Sequence, residues 1–285
     1  MKIVLPILLS SFPALAFAQG ECPITEGSKV DSLTSSQDVA EIIATIPPKK
    51  DDFQTTEDFL SQVSKALGSL SDPSIIEVDE GDRSFISYNA DKQRIEVGVH
   101  IFESYSSLDY DRYALIDYFD LSIDNFELYM SENFIVGLSE KDTKSNEYIG
   151  QTSLGASTTV EVIDRVNVSI HGGLFKDGTE FFQPDEVVNK EIVDGIFHDT
   201  PVFTIPMPVD VARVEMPVLR AVVATSGLSP DFLRTTGYIK PTIDRPREIR
   251  STNFLFKTSV SCVGFIDTEG TVLKVAEVDA VRMDQ

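Results

Sequence analysis

The sequence predicts an α+β fold that is mostly β: an antiparallel β-sandwich or open barrel preceded by a small two-helix N-terminal region. Apolar residues recur at helical spacing only between residues 35 and 72. From Ser74 onward, short apolar/polar alternations are separated by turn-forming residues. The chain is 42% hydrophobic and 25% charged, the balance of a protein with a packed core.

The N-terminus precedes any folded element. Lys2 is followed by an apolar run from Ile3 to Leu15, and Ala16-Phe17-Ala18 is a small-x-small box. Together these predict a secretory signal peptide over residues 1–18, cleaved before Gln19. The apolar run is too short and too broken by Pro6 and Pro13 to span about 30 Å of hydrocarbon. Cys22 lies too far from the box for a lipoprotein. The expected location is the bacterial periplasm or the outside of the cell, with no transmembrane segment after cleavage. Residues 19–34 read as an irregular lead-in. The chain has two cysteines, Cys22 and Cys262, and an even count in an exported protein predicts a disulfide between them.

The first helix fits Gln37 to Ile46, where Val39, Ile42, Ile43 and Ile46 form one stripe; Ser35 or Ser36 caps it and Pro47-Pro48 stops it. The second fits Thr56 to Leu67, with Thr55 as N-cap, Glu57 and Asp58 at the positive end of the dipole, and Gly68 as the stop. Phe53 is close enough in sequence to staple onto that helix. Residues 35–72 thus form a helical N-terminal subdomain, and residues 73–285 a β-sandwich region with room for a division near 175–200.

Within that region Phe85 to Tyr88 and Ile95 to Ile101 predict a hairpin through Asn89-Ala90-Asp91-Lys92. Further strands are expected over 115–129, 133–138, 157–171, 201–206, 218–226, 252–266 and 271–278. In 157–171, Val166, Val168 and Ile170 share a face opposite Asn167, Ser169 and His171. In 252–266, Cys262 has the parity of Phe254, Phe256 and Val260 and is expected to face inward with them. Val209 to Glu215 suits a helical turn between strands, and Asp267-Thr268-Glu269-Gly270 a tight turn.

The formal charge is −22, which excludes nucleic acid as the main partner and argues against an anionic membrane in that role, because such partners need a basic footprint. The three histidines, His100, His171 and His198, show no metal-ligand spacing, and they read as unrelated polar positions. Ile149 to Ser157 is rich in Ser and Gly but lacks G-x-S-x-G, and a strand rather than a helix follows, so no nucleophile elbow is present. Acidic clusters at Glu77 to Asp82, Asp109 to Asp111 and Asp117 to Asp124 do not fit a calcium loop and read as solvated surface. Neither a P-loop nor G-x-G-x-x-G occurs. The absence of Trp lowers the odds of a sugar cleft.

Four stretches carry a resemblance: Lys50 to Phe59, Tyr148 to Ala156, Lys240-Pro241-Thr242-Ile243-Asp244-Arg245-Pro246, and Asp267 to Leu273. In these the chain resembles a group of exported bacterial β-rich proteins of unknown function, a likeness that implies no activity. Val263 to Val275 also looks like the hairpin that ends many envelope β-domains, TonB-like ones included. The expectation is an exported, soluble, non-catalytic binding or structural protein of the cell envelope. It would need no cofactor, and its partner would be an envelope protein or ligand. An envelope hydrolase with residues dispersed over loops and a calcium-stabilised surface module are the alternatives.

Overall fold

The structure, a computed structural model, describes residues 22–47, 49–78, 86–97, 135–151, 155–171, 174–175, 191–193, 196–198 and 203–279. The signal peptide, His100, the expected strand 115–129, residues 79–82 and the acidic residues from Asp109 to Asp124 lie outside the described residues.

The fold is α+β and mostly β. Helix α1 (Ser36–Ile43) starts with a reciprocal capping box between Ser35 and Asp38. It ends three residues before the expected Ile46, yet a turn bonded from Ile46 N to Ile43 O keeps Ile46 buried. Helix α2 (Thr56–Leu67) has the expected bounds. The Thr55 hydroxyl accepts from Asp58 N, and Gly68 turns the chain out at φ +53°. Phe53, expected as a staple, instead stands 99% exposed. Its amide donates to Asp51 Oδ1 in an Asx turn, and the ring is left in solvent rather than packed on the core face of α2.

The strands are β1 (Ser74–Glu77), β2 (Ile86–Asn89), β3 (Arg94–Val97), β4 (Ile135–Gln151), β5 (Ser157–His171), β6 (Leu174–Phe175), β7 (Glu191–Val193), β8 (Ile196–His198), β9 (Phe203–Pro206), β10 (Arg220–Thr225), β11 (Phe232–Ile239), β12 (Arg247–Phe256), β13 (Val260–Ile266) and β14 (Val272–Asp279). Helix α3 (Val209–Glu215) links β9 to β10. One sheet has the order β1-β10-β13-β14-β6 and a second β11-β12-β5-β4. The expected hairpin β2-β3 takes β9 as its third strand, and β7-β8 is a separate pair. Among the described strands all pairings are antiparallel except β5 with β12, which runs parallel from Glu161 opposite Arg247 to Ile170 opposite Phe256.

The main core draws on all of these layers. It joins Val39 and Ile43 of α1, Val63 and Leu67 of α2, Ile95 and Val97 of β3, Val168 and Ile170 of β5, Phe254 and Phe256 of β12, and Val263 and Phe265 of β13. The two helices therefore bury their stripes in the same core as the sheets. A smaller core lies on the other face of the first sheet, where Ile24 covers Val222, Ala224, Cys262 and Ile266.

Cys262 belongs to that smaller core. The expected parity with Phe254, Phe256 and Val260 fails at an irregularity within β13: Val260, opposite Thr225, still packs in the main core, but Cys262 lies opposite the adjacent Ala224, and the extra residue Ser261 between them switches the face. The Cys22–Cys262 disulfide, with Cα atoms 5.5 Å apart, anchors the lead-in over this face. Backbone bonds between Gly27 and Val272, Ser28 and Val272, and Val30 and Gly270 extend the attachment.

Candidate functional site

The four-stranded sheet contains far longer strands than the core needs. Strand β4 is 17 residues and β5 is 15 residues. Only one end of this sheet joins the main core, through Val136 and Leu138 of β4, Val168 and Ile170 of β5, and Phe254 and Phe256 of β12. Val166 is the last β5 residue packed against it. From there to Ser157 the strand continues for about 30 Å at the usual rise of about 3.3 Å per residue. The four strands together make an arm.

The end of β4 at Gln151 and the start of β5 at Ser157 lie at the same end of the sheet as the 240–246 connection between β11 and β12. The cause is the parallel β5-β12 pairing, which aligns the starts of those two strands, with Glu161 N donating to Pro246 O across them. Two of the four stretches singled out by sequence, Tyr148 to Ala156 and Lys240 to Pro246, are thereby brought together from positions some ninety residues apart.

On the face that continues from the core, Glu248 is held under three neighbours. Tyr148 donates its hydroxyl to Glu248 Oε2 at 2.9 Å, and Arg250 Nε donates to Oε1 at 2.8 Å. The Glu248 side chain is 7% exposed. The Arg250 hydrogen bond, and then the Tyr148 hydroxyl, hold the Glu248 carboxyl below the usual range; Tyr238 adds a smaller contribution. In return the carboxylate holds the Tyr148 phenol proton on, raising its pKa. No acid–base pair poised near neutrality results. Glu248 stays ionised, and the cluster pins both tyrosines.

The opposite face carries a ladder of charges. Arg165 meets Asp142 at 2.7 Å and Glu140 at 3.1 Å. Glu161 is shared by Lys144 at 3.2 Å and Arg247 at 3.4 Å. Nearer the core, Asn167 donates to Asn253, which donates to Thr235. Asn167 and Ser169, expected on an outward face, are buried there.

The arm is also where apolar surface gathers, Tyr238 and Ile239 level with Asp164 and Ile163, and Tyr148 and Ile149 further out, level with Val160 and Thr159. Of the ten large hydrophobic side chains exposed among the described residues, five are here: Tyr148, Ile149, Tyr238, Ile239 and Ile243. The other five are Phe53 and four valines on or beside α3. Phe53 borders a shallow, open depression with Pro47, Lys49 and Gln54.

The remaining sequence candidates are not brought together in the described residues. His171 ends β5 and His198 ends β8. The Ser/Gly stretch from Ile149 is the end of β4 and the turn after it, with Thr152, Ser153 and Leu154 outside the described residues. No group of three or more His, Cys, Asp or Glu that could hold a metal occurs among the described residues. No described helix is long and apolar enough to cross a membrane.

Sequence reasoning missed the arm. Strand β11 was not expected, because Thr235-Thr236-Gly237 interrupts its apolar ends. The strand expected over 133–138 extends to Gln151 through a run of charged and polar residues that shows no alternation. The available signal was Tyr148-Ile149 and Tyr238-Ile239, two aromatic–aliphatic pairs each just before a turn. No protein-family model, curated protein or solved structure matches this chain.

Proposed function

We propose that this chain is an exported, non-catalytic binding or structural protein of the bacterial cell envelope that works through the distal end of its arm. One observation carries the reading: exposed tyrosines and isoleucines from two distant stretches converge where no core needs them. Scattered exposed apolar residues are ordinary, but a group at the end of one projecting element marks a contact surface. The leader-like N-terminus and the disulfide support export to an oxidising compartment.

Expression of the full chain in a bacterial host, followed by cell fractionation and intact-mass measurement, tests this. The expected product begins at Gln19 and is retained with the envelope. A variant with Ile149, Ile239 and Ile243 changed to Ser should keep the same melting temperature and leave the envelope fraction. Recovery in the cytoplasm with residues 1–18 intact, or unchanged retention of the variant, rejects the proposal.

A further inference from the structure

The distal end of the arm presents apolar side chains on both faces of its sheet. Successive strand residues point to opposite faces. Tyr238 opposes Arg250 and Ile239 opposes Ile249, while Tyr148 opposes Val160 and Ile149 opposes Thr159. Each outer strand thus places a tyrosine on the face of Glu248 and an isoleucine on the reverse. A protein docked on one face would leave the other pair in water. A medium that surrounds the end would cover both.

The charges at this end differ from those of the chain as a whole. Residues 238–250 contain four Lys or Arg and two Asp or Glu, and residues 144–164 of the adjoining hairpin one Lys and three Asp or Glu, so the end is neutral in a chain of net charge −22, with its cations gathered on the 238–250 hairpin. One of those acids, Glu248, is paired with Arg250. Lys240 and Arg245 are exposed and have no ion-pair partner among the described residues, and Arg247 is 61% exposed beside Glu161. Tyrosine with lysine and arginine is the set of side chains that bilayer interfaces accommodate, ring at the headgroups and cation at the phosphates. The loop bearing Ile243 is held between Pro241 and Pro246, with Thr242 N bonded to Arg245 O, so little ordering remains to be lost on contact.

The acidic remainder would be repelled by an anionic surface, but distance removes most of that penalty. Arg247 lies opposite Glu161, five residues or about 17 Å past Val166, against a Debye length of about 8 Å at physiological salt. Net charge is therefore a poor guide to what this end can meet.

We propose that the distal end of the arm docks peripherally on an anionic phospholipid surface. Tyr148, Ile149, Tyr238, Ile239 and Ile243 enter the headgroup region, and Lys240, Arg245 and Arg247 meet the phosphates. This names the partner chemistry of the arm reading and rests on it. The test is flotation of the exported protein with vesicles of phosphatidylethanolamine and phosphatidylglycerol, compared with phosphatidylcholine alone. The protein should float with the anionic vesicles, and at least about ten-fold less with the neutral ones. Changing Lys240→Gln and Arg245→Gln together should weaken binding about thirty-fold, at about 1 kcal/mol for each cation near the surface. The melting temperature should not move, which separates lost contact from lost fold. Absence of flotation, or equal flotation on both lipids by wild type and variant, overturns the lipid proposal. A photo-crosslinker at position 243 in cells distinguishes the two levels. Capture of a protein without vesicle binding overturns the lipid assignment and leaves the arm as the working surface; no capture and no vesicle binding overturns both.

Discussion

Gly227 is the residue whose replacement the backbone tolerates least. It sits at φ +103°, and a Cβ there would fall 2.2 Å from Ser71 O and 2.6 Å from Ser71 C. Main chain, not a flexible side chain, is in the way, and the next amide, Leu228 N, holds the turn after α2 through Leu70 O at 2.7 Å. Gly227→Ala is expected to cost about 2–4 kcal/mol in denaturant unfolding; a loss under about 1 kcal/mol would mean that this junction relaxes freely. At Glu248 the expectation concerns pH. Its folded pKa is depressed by Arg250 and then Tyr148, so the stabilisation is complete above the unfolded value near 4.3 and disappears as pH falls through the folded value. Tyr148 has the opposite sign: its raised pKa stabilises below about 10 and ceases to do so as pH rises through the folded value. Glu248→Gln should flatten the acid limb below about pH 4 and the alkaline limb above about pH 10. Identical pH–stability curves for variant and wild type would show that the cluster does not couple to folding.

Among the elements, the helices and the arm obey different rules. Helices α1 and α2 are stabilised by burial, since Val39, Ile43, Val63 and Leu67 are each 1% exposed or less. Phe53 lies between them and contributes nothing to that packing. Phe53→Ser should therefore change unfolding free energy by no more than about 0.5 kcal/mol. A loss above about 1 kcal/mol would restore the stapling role that its sequence position suggests. The arm buries only Val160, Val162, Ile163 and Ile249 among its described apolar residues, outside the main core. Cross-strand bonds hold it: Tyr148 on Glu248 on one face, and Arg165, Lys144 and Arg247 with their acids on the other. Such exposed pairs are individually weak, but together they keep the strands in register.

For the molecule as a whole, the disulfide ties one end of the described chain to a late strand, closing a loop of 240 residues. In the chain-entropy account this stabilises the fold by up to about 5 kcal/mol. Reduction, Cys22→Ser and Cys262→Ser should all lower the melting temperature and expose residues 22–34 to proteases, because Ile24 then relies on its own small contact. Complete alkylation of both thiols in the unreduced native protein would contradict this. The N-terminal segment is thereby part of the fold's outer layer, although its composition is that of a tail.

Much of the architecture was legible in the residues. Periodicity of 3.6 located α2 to the residue. Alternation located β5, where Val168 and Ile170 do face the core. The two cysteines named their own bond. These features are local, or depend on a count, so a linear reading suffices. The arm was not legible, because a polar run such as Ser139 to Glu147 becomes a strand only when β5 lies beside it to take its backbone hydrogen bonds. The placement of Cys262 was also nonlocal, depending on one extra residue, Ser261, in the pairing of β13 with β10 that the apolar pattern did not show. The candidate site is the extreme case. Tyr148 and Tyr238 are ordinary surface tyrosines in sequence, and they share one carboxylate only because β12 runs parallel to β5. Strand partners, and hence what meets at the end of a sheet, are set by long-range pairing, and no local pattern encodes it.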